Sequence, residues 1–133
     1  MSNRIVKTLL SDGPTKAIFS FYLESDGAEG ELNNYTLIDP VQDFAVVPDK
    51  LTILQIWYGF SWFDALLTFD DVVAYPSWEL TRDSHGYFDF RYFKGLADRS
   101  GIDRTGKLFI TTNGFAPSGS LGTLIVEIIK EFH

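Results

Sequence analysis

The apolar positions of this chain fall in short runs of β-branched and aromatic residues, which predicts strands rather than helices. Gly, Pro, Asn and Asp separate these runs at spacings near ten residues. The turn signal at residues 11–14 joins the first two runs into a hairpin. The predicted strands are residues 4–10, 15–23, 34–38, 50–58, 64–69, 72–80, 87–93, 107–113 and 123–132.

Residues 50–58 form the strongest predicted strand, because both of its faces are largely apolar. We therefore expect this strand to be central in its sheet and covered on both sides. A regular strand places Leu51, Ile53, Gln55 and Trp57 on one face, and Thr52, Leu54, Ile56 and Tyr58 on the other,. The segment 123–132 could pass for a helix, but its three Ile and one Val and its missing N-cap box favour a strand,.

Several segments carry weaker signals. Pro40 and Pro48 bracket residues 41–49, which predicts either an edge strand or an extended connection,. Pro76 restricts part of 72–80 to an edge or a bulge, and residues 82–86 read as a turn,. Eight or nine strands at this spacing predict one all-β domain over residues 1–133, an antiparallel, jelly-roll-like β-sandwich with less than about a tenth helix. The predicted core comprises Ile53, Ile56, Leu66, Phe69, Leu108, Ile110, Leu124 and Val126.

Length and composition narrow the class of protein. A chain of 133 residues suits a single domain that buries a core without staples,. The absence of Cys excludes disulfides, thiolate metal sites and cysteine nucleophiles,. A net charge of −7 lacks a basic footprint, so we expect no nucleic-acid partner,. No apolar stretch is long enough to span a bilayer and the opening residues do not form a signal peptide, so we expect no membrane partner.

Candidate chemistry is sparse. His85 lies on a predicted turn, His133 is the last residue, and Ser118 lacks the context of a nucleophile elbow,. We therefore expect a protein that is not an enzyme, with no catalytic residues and no cofactor. The acidic stretch 24–49 contains no Lys or Arg, and a solvated acidic face is a better interpretation than a Ca²⁺ site, so no metal is predicted,.

The aromatic residues are unusually numerous, with twelve Phe, six Tyr and three Trp. A small core cannot hide all of those between Trp57 and Trp78, so some should reach a protein interface or a sugar-stacking platform. Likewise, a sandwich needs one apolar face of its last strand, which leaves Ile125 and Ile129 for another layer or subunit. These observations predict a homo-oligomer whose interface includes Ile125, Ile129, Trp57, Trp62 and Trp78.

A resemblance covers most of the chain. It rests on the opening run RIVKTLLSDG at 4–13, KLTI at 50–53 with IWY at 56–58, FDFRYFKGL at 88–96, GKLFITTNG at 106–114 and TLIVE at 123–127. This layout resembles small all-β capsid decoration (cement) proteins of tailed bacteriophages. The resemblance implies a mechanical role on the capsid exterior of the virion, often as a homotrimer, bridging neighbouring capsomers formed by the major capsid protein.

The uneven basic charge gives a candidate contact with such a shell. Six of the eleven basic residues lie between 82 and 107, and these are Arg82, Arg91, Lys94, Arg99, Arg104 and Lys107. Docking on an acidic partner and charge scattered for solubility are both open interpretations. The alternative function is a carbohydrate- or receptor-binding β-sandwich module that uses surface Trp and Tyr side chains.

Overall fold

The computed structural model describes residues 3–25, 32–33, 35–48, 50–61, 63–69, 75–80, 84–91, 95–97, 107–113, 115 and 120–131. Within these residues there are ten β-strands, one of them only two residues long, and a one-turn helix. In chain order they are β1 (Arg4–Asp12), β2 (Lys16–Glu24), β3 (Tyr35–Ile38), α1 (Pro40–Asp43), β4 (Lys50–Ser61), β5 (Asp64–Phe69), β6 (Tyr75–Leu80), β7 (Ser84–Asp89), β8 (Leu96–Ala97), β9 (Leu108–Asn113) and β10 (Leu121–Glu131).

The strands form two antiparallel sheets. Sheet A has the order β1-β2-β10-β4-β7, with β8 also pairing with β4, and sheet B has the order β3-β9-β5-β6. Without β1 and β8, these are the two four-stranded sheets of a jelly roll, in which the chain passes between the layers. The predicted antiparallel sandwich is confirmed. β1 is an addition at one edge, paired on one side with β2.

The core lies between the two sheets. Alternate residues of β2 and β10 are buried, as period-two strands with one inward face require,. Of the predicted core residues, Ile53, Ile56, Phe69, Leu108, Ile110, Leu124 and Val126 are all fully buried. Leu66 is only half-buried, because its neighbours Ala65 and Leu67 take the inward positions of β5. The core prediction is therefore confirmed except at Leu66.

A β-bulge at Leu54 changes which residues of β4 face the core. Gln55 pairs with Glu127, but Ile53 pairs with the next residue, Ile128, so Leu54 is an extra residue in the ladder,. Before the bulge, the odd-numbered residues of β4 face the core, whereas after it the even-numbered residues do. The core-facing residues are therefore Leu51, Ile53, Ile56, Tyr58 and Phe60, which pair with or flank the buried positions of β10. The predicted division of this strand into two regular faces is wrong for this reason.

Two local predictions need correction. Residues 41–43 are helical, because Asp39 accepts a hydrogen bond from the Val41 amide and Asp43 accepts one from the Asp39 amide,. Residues 84–86 belong to β7 rather than to a turn, and β7 ends at Asp89 instead of continuing to residue 93. The side chain of Asp89 accepts from the amide of Arg91, which favours a turn there,.

The proline of β6 lies where the sequence restricted it. β6 is one of the two edge strands of sheet B, and its register shifts between the pair Thr68–Pro76 and the pair Leu67–Trp78. Pro76 has no backbone N–H to donate, and at an edge position with a bulge the sheet does not need that hydrogen bond. The prediction of an edge or a bulge is confirmed.

Ion pairs tie β1 and its turn to the body. The ammonium nitrogen of Lys7 lies 2.5 Å from Oδ2 of Asp43 in α1, and it also lies above the ring of Phe19. At the other end of β1, Asp12 pairs with Lys130 of β10, whose ammonium also donates to the Gly13 carbonyl at 2.8 Å. The ammonium of Lys130 lies 4.6 Å from the ring centre of Phe44. These contacts hold an otherwise exposed strand against the sandwich.

Candidate functional site

The outer face of sheet A carries a groove of about 380 Å³, formed where β7, β4 and β10 lie side by side. We call it the Gly59 groove. Its lining is mainly apolar and comprises Trp57, Tyr58, Gly59, His85, Gly86, Tyr87, Thr123 and Ile125. The groove lies on the face that the sandwich core does not use.

The groove exists because a glycine occupies an outward position of β4. Gly59 pairs with His85 on one side and with Thr123 on the other. A Cβ added at Gly59 would lie 3.6 Å from the Cβ of His85, which is an ordinary contact. The glycine is therefore not needed to avoid a clash, and its missing side chain leaves an open floor. A glycine inside a strand often marks a site where a ligand approaches the backbone.

A pair of aromatic rings forms one wall of the groove. Trp57 and Tyr87 are cross-strand partners, with ring centres 5.2 Å apart and planes 23° from parallel. Tyr87 is 48% exposed, whereas Trp57 is half-buried. Stacking on Trp57 holds the exposed ring of Tyr87 in one orientation.

A network of polar side chains continues from this wall along the sheet. The hydroxyl of Tyr87 donates to Oε1 of Gln55, and Nε2 of Gln55 donates to Glu127 at 2.6 Å. One outward position further along β7, Asp89 accepts two hydrogen bonds from Arg91, from Nε at 2.9 Å and from Nη2 at 2.8 Å.

The electrostatics of the network follow from these contacts. The hydrogen bonds from Arg91 hold the pKa of Asp89 well below its usual range, and the same pair raises the pKa of Arg91,. Desolvation, and then the carboxylate of Asp89, raise the pKa of Tyr87. Tyr87 therefore stays a neutral hydroxyl, and Asp89 stays ionised and paired, across the physiological range.

The second candidate surface is β1. Val6, Leu9 and Leu10 are 39%, 45% and 54% exposed, and almost every residue of this strand is exposed. Its second edge pairs with no strand among the residues that the structure describes. An unpaired strand edge presents free amides and carbonyls to any strand that can add to it.

The predicted interface residues occupy different places. Trp57 and Ile125 are cross-strand partners at the groove, and Ile129 is half-buried further along the same outer face. Trp78 belongs to β6 of sheet B, so the structure does not bring it onto the same sheet as the others. Trp62 lies outside the described residues. The core accounts for much of the aromatic excess, because Tyr58, Phe60, Phe63 and Phe69 are buried.

Two of the predicted basic residues are described. Arg91 is exposed and paired with Asp89, and Lys107 is half-buried just before β9. The remaining four, Arg82, Lys94, Arg99 and Arg104, lie outside the described residues.

Sequence reasoning missed Gly59 and Tyr87, which line the groove, and Gln55, which holds the Tyr87 hydroxyl. Gly59 interrupts an otherwise apolar strand between Tyr58 and Phe60, and this interruption was the available signal,. Tyr87 and Gln55 gave no signal, because they meet only through the pairing of β7 with β4, which the sequence does not reveal.

The remaining candidate chemistry is limited. His85 is exposed at the groove, and no group of three His, Asp or Glu side chains within the described ranges could hold a metal ion. Residues 26–31 of the acidic loop at 24–31 lie outside those ranges. Among the helical residues that the structure describes, none form a helix long and apolar enough to cross a membrane.

Comparisons with known proteins return little. No protein-family model matches the chain, and no curated protein matches it. Among solved structures, the chain is similar to a cupin superfamily protein from Desulfitobacterium hafniense, with 11% identity and a TM-score of 0.34. That alignment covers 98% of this chain and 81% of the other.

Proposed function

We propose that this chain is a non-enzymatic capsid decoration protein of a tailed bacteriophage, which binds the capsid exterior and bridges neighbouring capsomers. The resemblance to decoration proteins of tailed bacteriophages indicates that the capsid is the assembly to which the chain would bind. The structural observation that supports an assembly role is β1, a nine-residue strand outside the jelly roll with three large apolar side chains exposed.

β1 suits attachment to another protein in two ways. Its free edge can pair with a strand of a partner, which gives affinity through main-chain hydrogen bonds, while alternate side chains fit pockets. Its exposed Val6, Leu9 and Leu10 would lose contact with water in such a contact, and each buried side chain of this size contributes roughly 1.5–3 kcal/mol,. The partner in this proposal is the major capsid protein.

We also propose that the chain acts as a homo-oligomer, with a trimer favoured by the resemblance. Ile129 of β10 supports a contact between copies, because it lies on the outer face of sheet A and is only half-buried there. An interface of this kind would cover apolar area that a monomer leaves in water.

The experiment that tests this function is co-sedimentation with capsids assembled from the major capsid protein of the phage that encodes the chain. We expect the wild-type chain to bind in stoichiometric copies at regular positions on the capsid surface in cryo-electron micrographs. Leu10→Glu should weaken binding about tenfold or more, because it puts a charge in place of a leucine that the contact with the capsid would bury. Val46→Glu is the matched control, since Val46 is 69% exposed and lies outside β1. A wild-type chain that stays in the supernatant contradicts the proposal.

A further inference from the structure

We propose that the Gly59 groove is a binding site for neutral sugars, in particular for a pyranose ring whose hydroxyls are equatorial. This site is separate from β1 and does not depend on the capsid role. It would add ligand binding to a protein whose proposed function is structural.

The shape of the groove fits a flat ring. Its volume of about 380 Å³ is at the small end of the range for ligand sites,. Its floor is the backbone at Gly59, and its sides are Tyr87 with Trp57, His85 and Thr123. A cavity that is one side chain deep in a pleated sheet accepts a ring that stands on its edge, with one face against the aromatic wall.

The aromatic wall supplies the interaction that sugars use most. A pyranose with equatorial hydroxyls presents axial C–H groups as an apolar patch, which packs on an aromatic face. Tyr87 offers nearly half of its surface, and Trp57 supports its other side at a ring distance of 5.2 Å. The hydrogen bond to Gln55 also fixes the Tyr87 hydroxyl, so little side-chain freedom remains to be lost on binding,.

Polar side chains flank the floor of the groove, where the hydroxyls of a bound ring would lie. His85 and Thr123 are the cross-strand partners of Gly59 on its two sides, and both line the groove. The ring nitrogens of His85 and the hydroxyl of Thr123 offer hydrogen-bonding partners to a sugar edge.

The lining of the groove favours a neutral ligand. The eight described residues that line it include no Lys, Arg, Asp or Glu, so a charged ligand would lose water without gaining an oppositely charged partner. A neutral polyol avoids this penalty.

The test uses saturation-transfer NMR with methyl β-D-glucopyranoside and cellotetraose as probes. We expect transfer to the axial ring protons of the sugar from the wild-type chain. Gly59→Val fills the floor from the solvent side, and valine suits a strand, so this variant should fold and lose binding at least about tenfold,. Ser61→Val is the matched control, because it places the same side chain on the same face of the same strand outside the groove. It should bind as the wild type does.

Other outcomes overturn the proposal. Absence of transfer to both sugars from the folded wild-type chain removes it, and so does unchanged binding by Gly59→Val. If Gly59→Val fails to fold, Tyr87→Ala replaces it, since this exposed side chain makes a small contribution to the core. A change of molar mass in Gly59→Val by light scattering, without sugar binding by the wild type, would assign the groove to a contact between copies.

Discussion

The side-chain amide of Gln55 donates a hydrogen bond to Glu127 across the outer face of sheet A. Ile53, two residues earlier, points into the core opposite Ile128. Residues two apart in a regular strand share a face, so this contact requires the extra residue Leu54 between them. The bulge thereby turns Ile56 towards the core and Trp57 towards the outer face of sheet A. There Trp57 forms part of the aromatic wall of the groove.

The first prediction follows from this bulge. Ile53→Ala and Ile56→Ala should each lower the free energy of unfolding by about 2–5 kcal/mol, because both side chains are fully buried against β10,. Thr123→Ala, on the exposed face of β10, is the control and should change it by less than about 0.5 kcal/mol,. Urea denaturation followed by circular dichroism measures all three. An Ile56→Ala variant with an unchanged free energy of unfolding would mean that Ile56 does not face the core.

The second prediction concerns the ion pair between Asp12 and Lys130. The lysine is 8% exposed and the aspartate 38% exposed, so the two partners should not be equivalent. Asp12→Ala leaves a buried ammonium short of an acceptor and should cost about 1–3 kcal/mol of stability. Lys130→Met leaves a partly solvated carboxylate and an apolar chain against Phe44, and should cost less than about 1 kcal/mol,. Equal losses in thermal or urea unfolding would contradict this asymmetry.

The third prediction concerns Gly95, the described glycine with a positive φ, at +94°. A Cβ there would lie 2.3 Å from Cγ2 of Thr52 and 3.1 Å from the carbonyl oxygen of Ile53. Gly95→Ala should therefore lower stability by at least about 1–3 kcal/mol. Gly13→Ala is the control, because its Cβ would meet the Lys16 carbonyl oxygen at 3.6 Å without backbone strain. The difference between their unfolding midpoints is the quantity to compare.

The fourth prediction is a pH dependence. The pKa of Asp89 is lowered in the folded state by Arg91, so the carboxylate gives stability that is present above the unfolded pKa near 3.9,. That contribution is lost as the pH falls from there through the folded pKa. Carboxyl chemical shifts in an NMR titration should show a pKa for Asp89 well below the usual value for an aspartate, and Arg91→Ala should return that pKa towards the usual value. An Asp89 shift that titrates near pH 4 in the wild type would refute the pairing.

The fifth prediction concerns self-association. Light scattering at micromolar concentration should show an oligomer, and Ile129→Lys should reduce its mass while leaving the fold intact, because this half-buried side chain lies on an outer face,. Ile125→Lys tests the neighbouring position at the groove in the same way. A wild-type monomer removes the oligomer proposal. Folded variants with unchanged mass would show that β10 is not the interface.

The positions of strands were predictable from the sequence where one face of the strand is buried and the other meets solvent. β2, β9 and β10 have this alternation, so their extents follow from the sequence to within two residues,. β4 is apolar on both faces, so a one-residue shift leaves no break in its pattern and the bulge was missed. The helix α1 had a readable signal, an Asp39 cap followed by Pro40 and then Asp43, but Pro40 and Pro48 suggested extended chain instead.

The order of strands in sheet A also bears on how the protein is made. β10 is the last described strand to leave the ribosome, yet it lies between β2 and β4 and pairs with both. Until it emerges, the nascent chain exposes two long apolar strands with unpaired edges, the condition in which chains aggregate. The sandwich can therefore close only after synthesis of β10, so stalled chains that end before residue 121 should remain bound to chaperones and sensitive to protease.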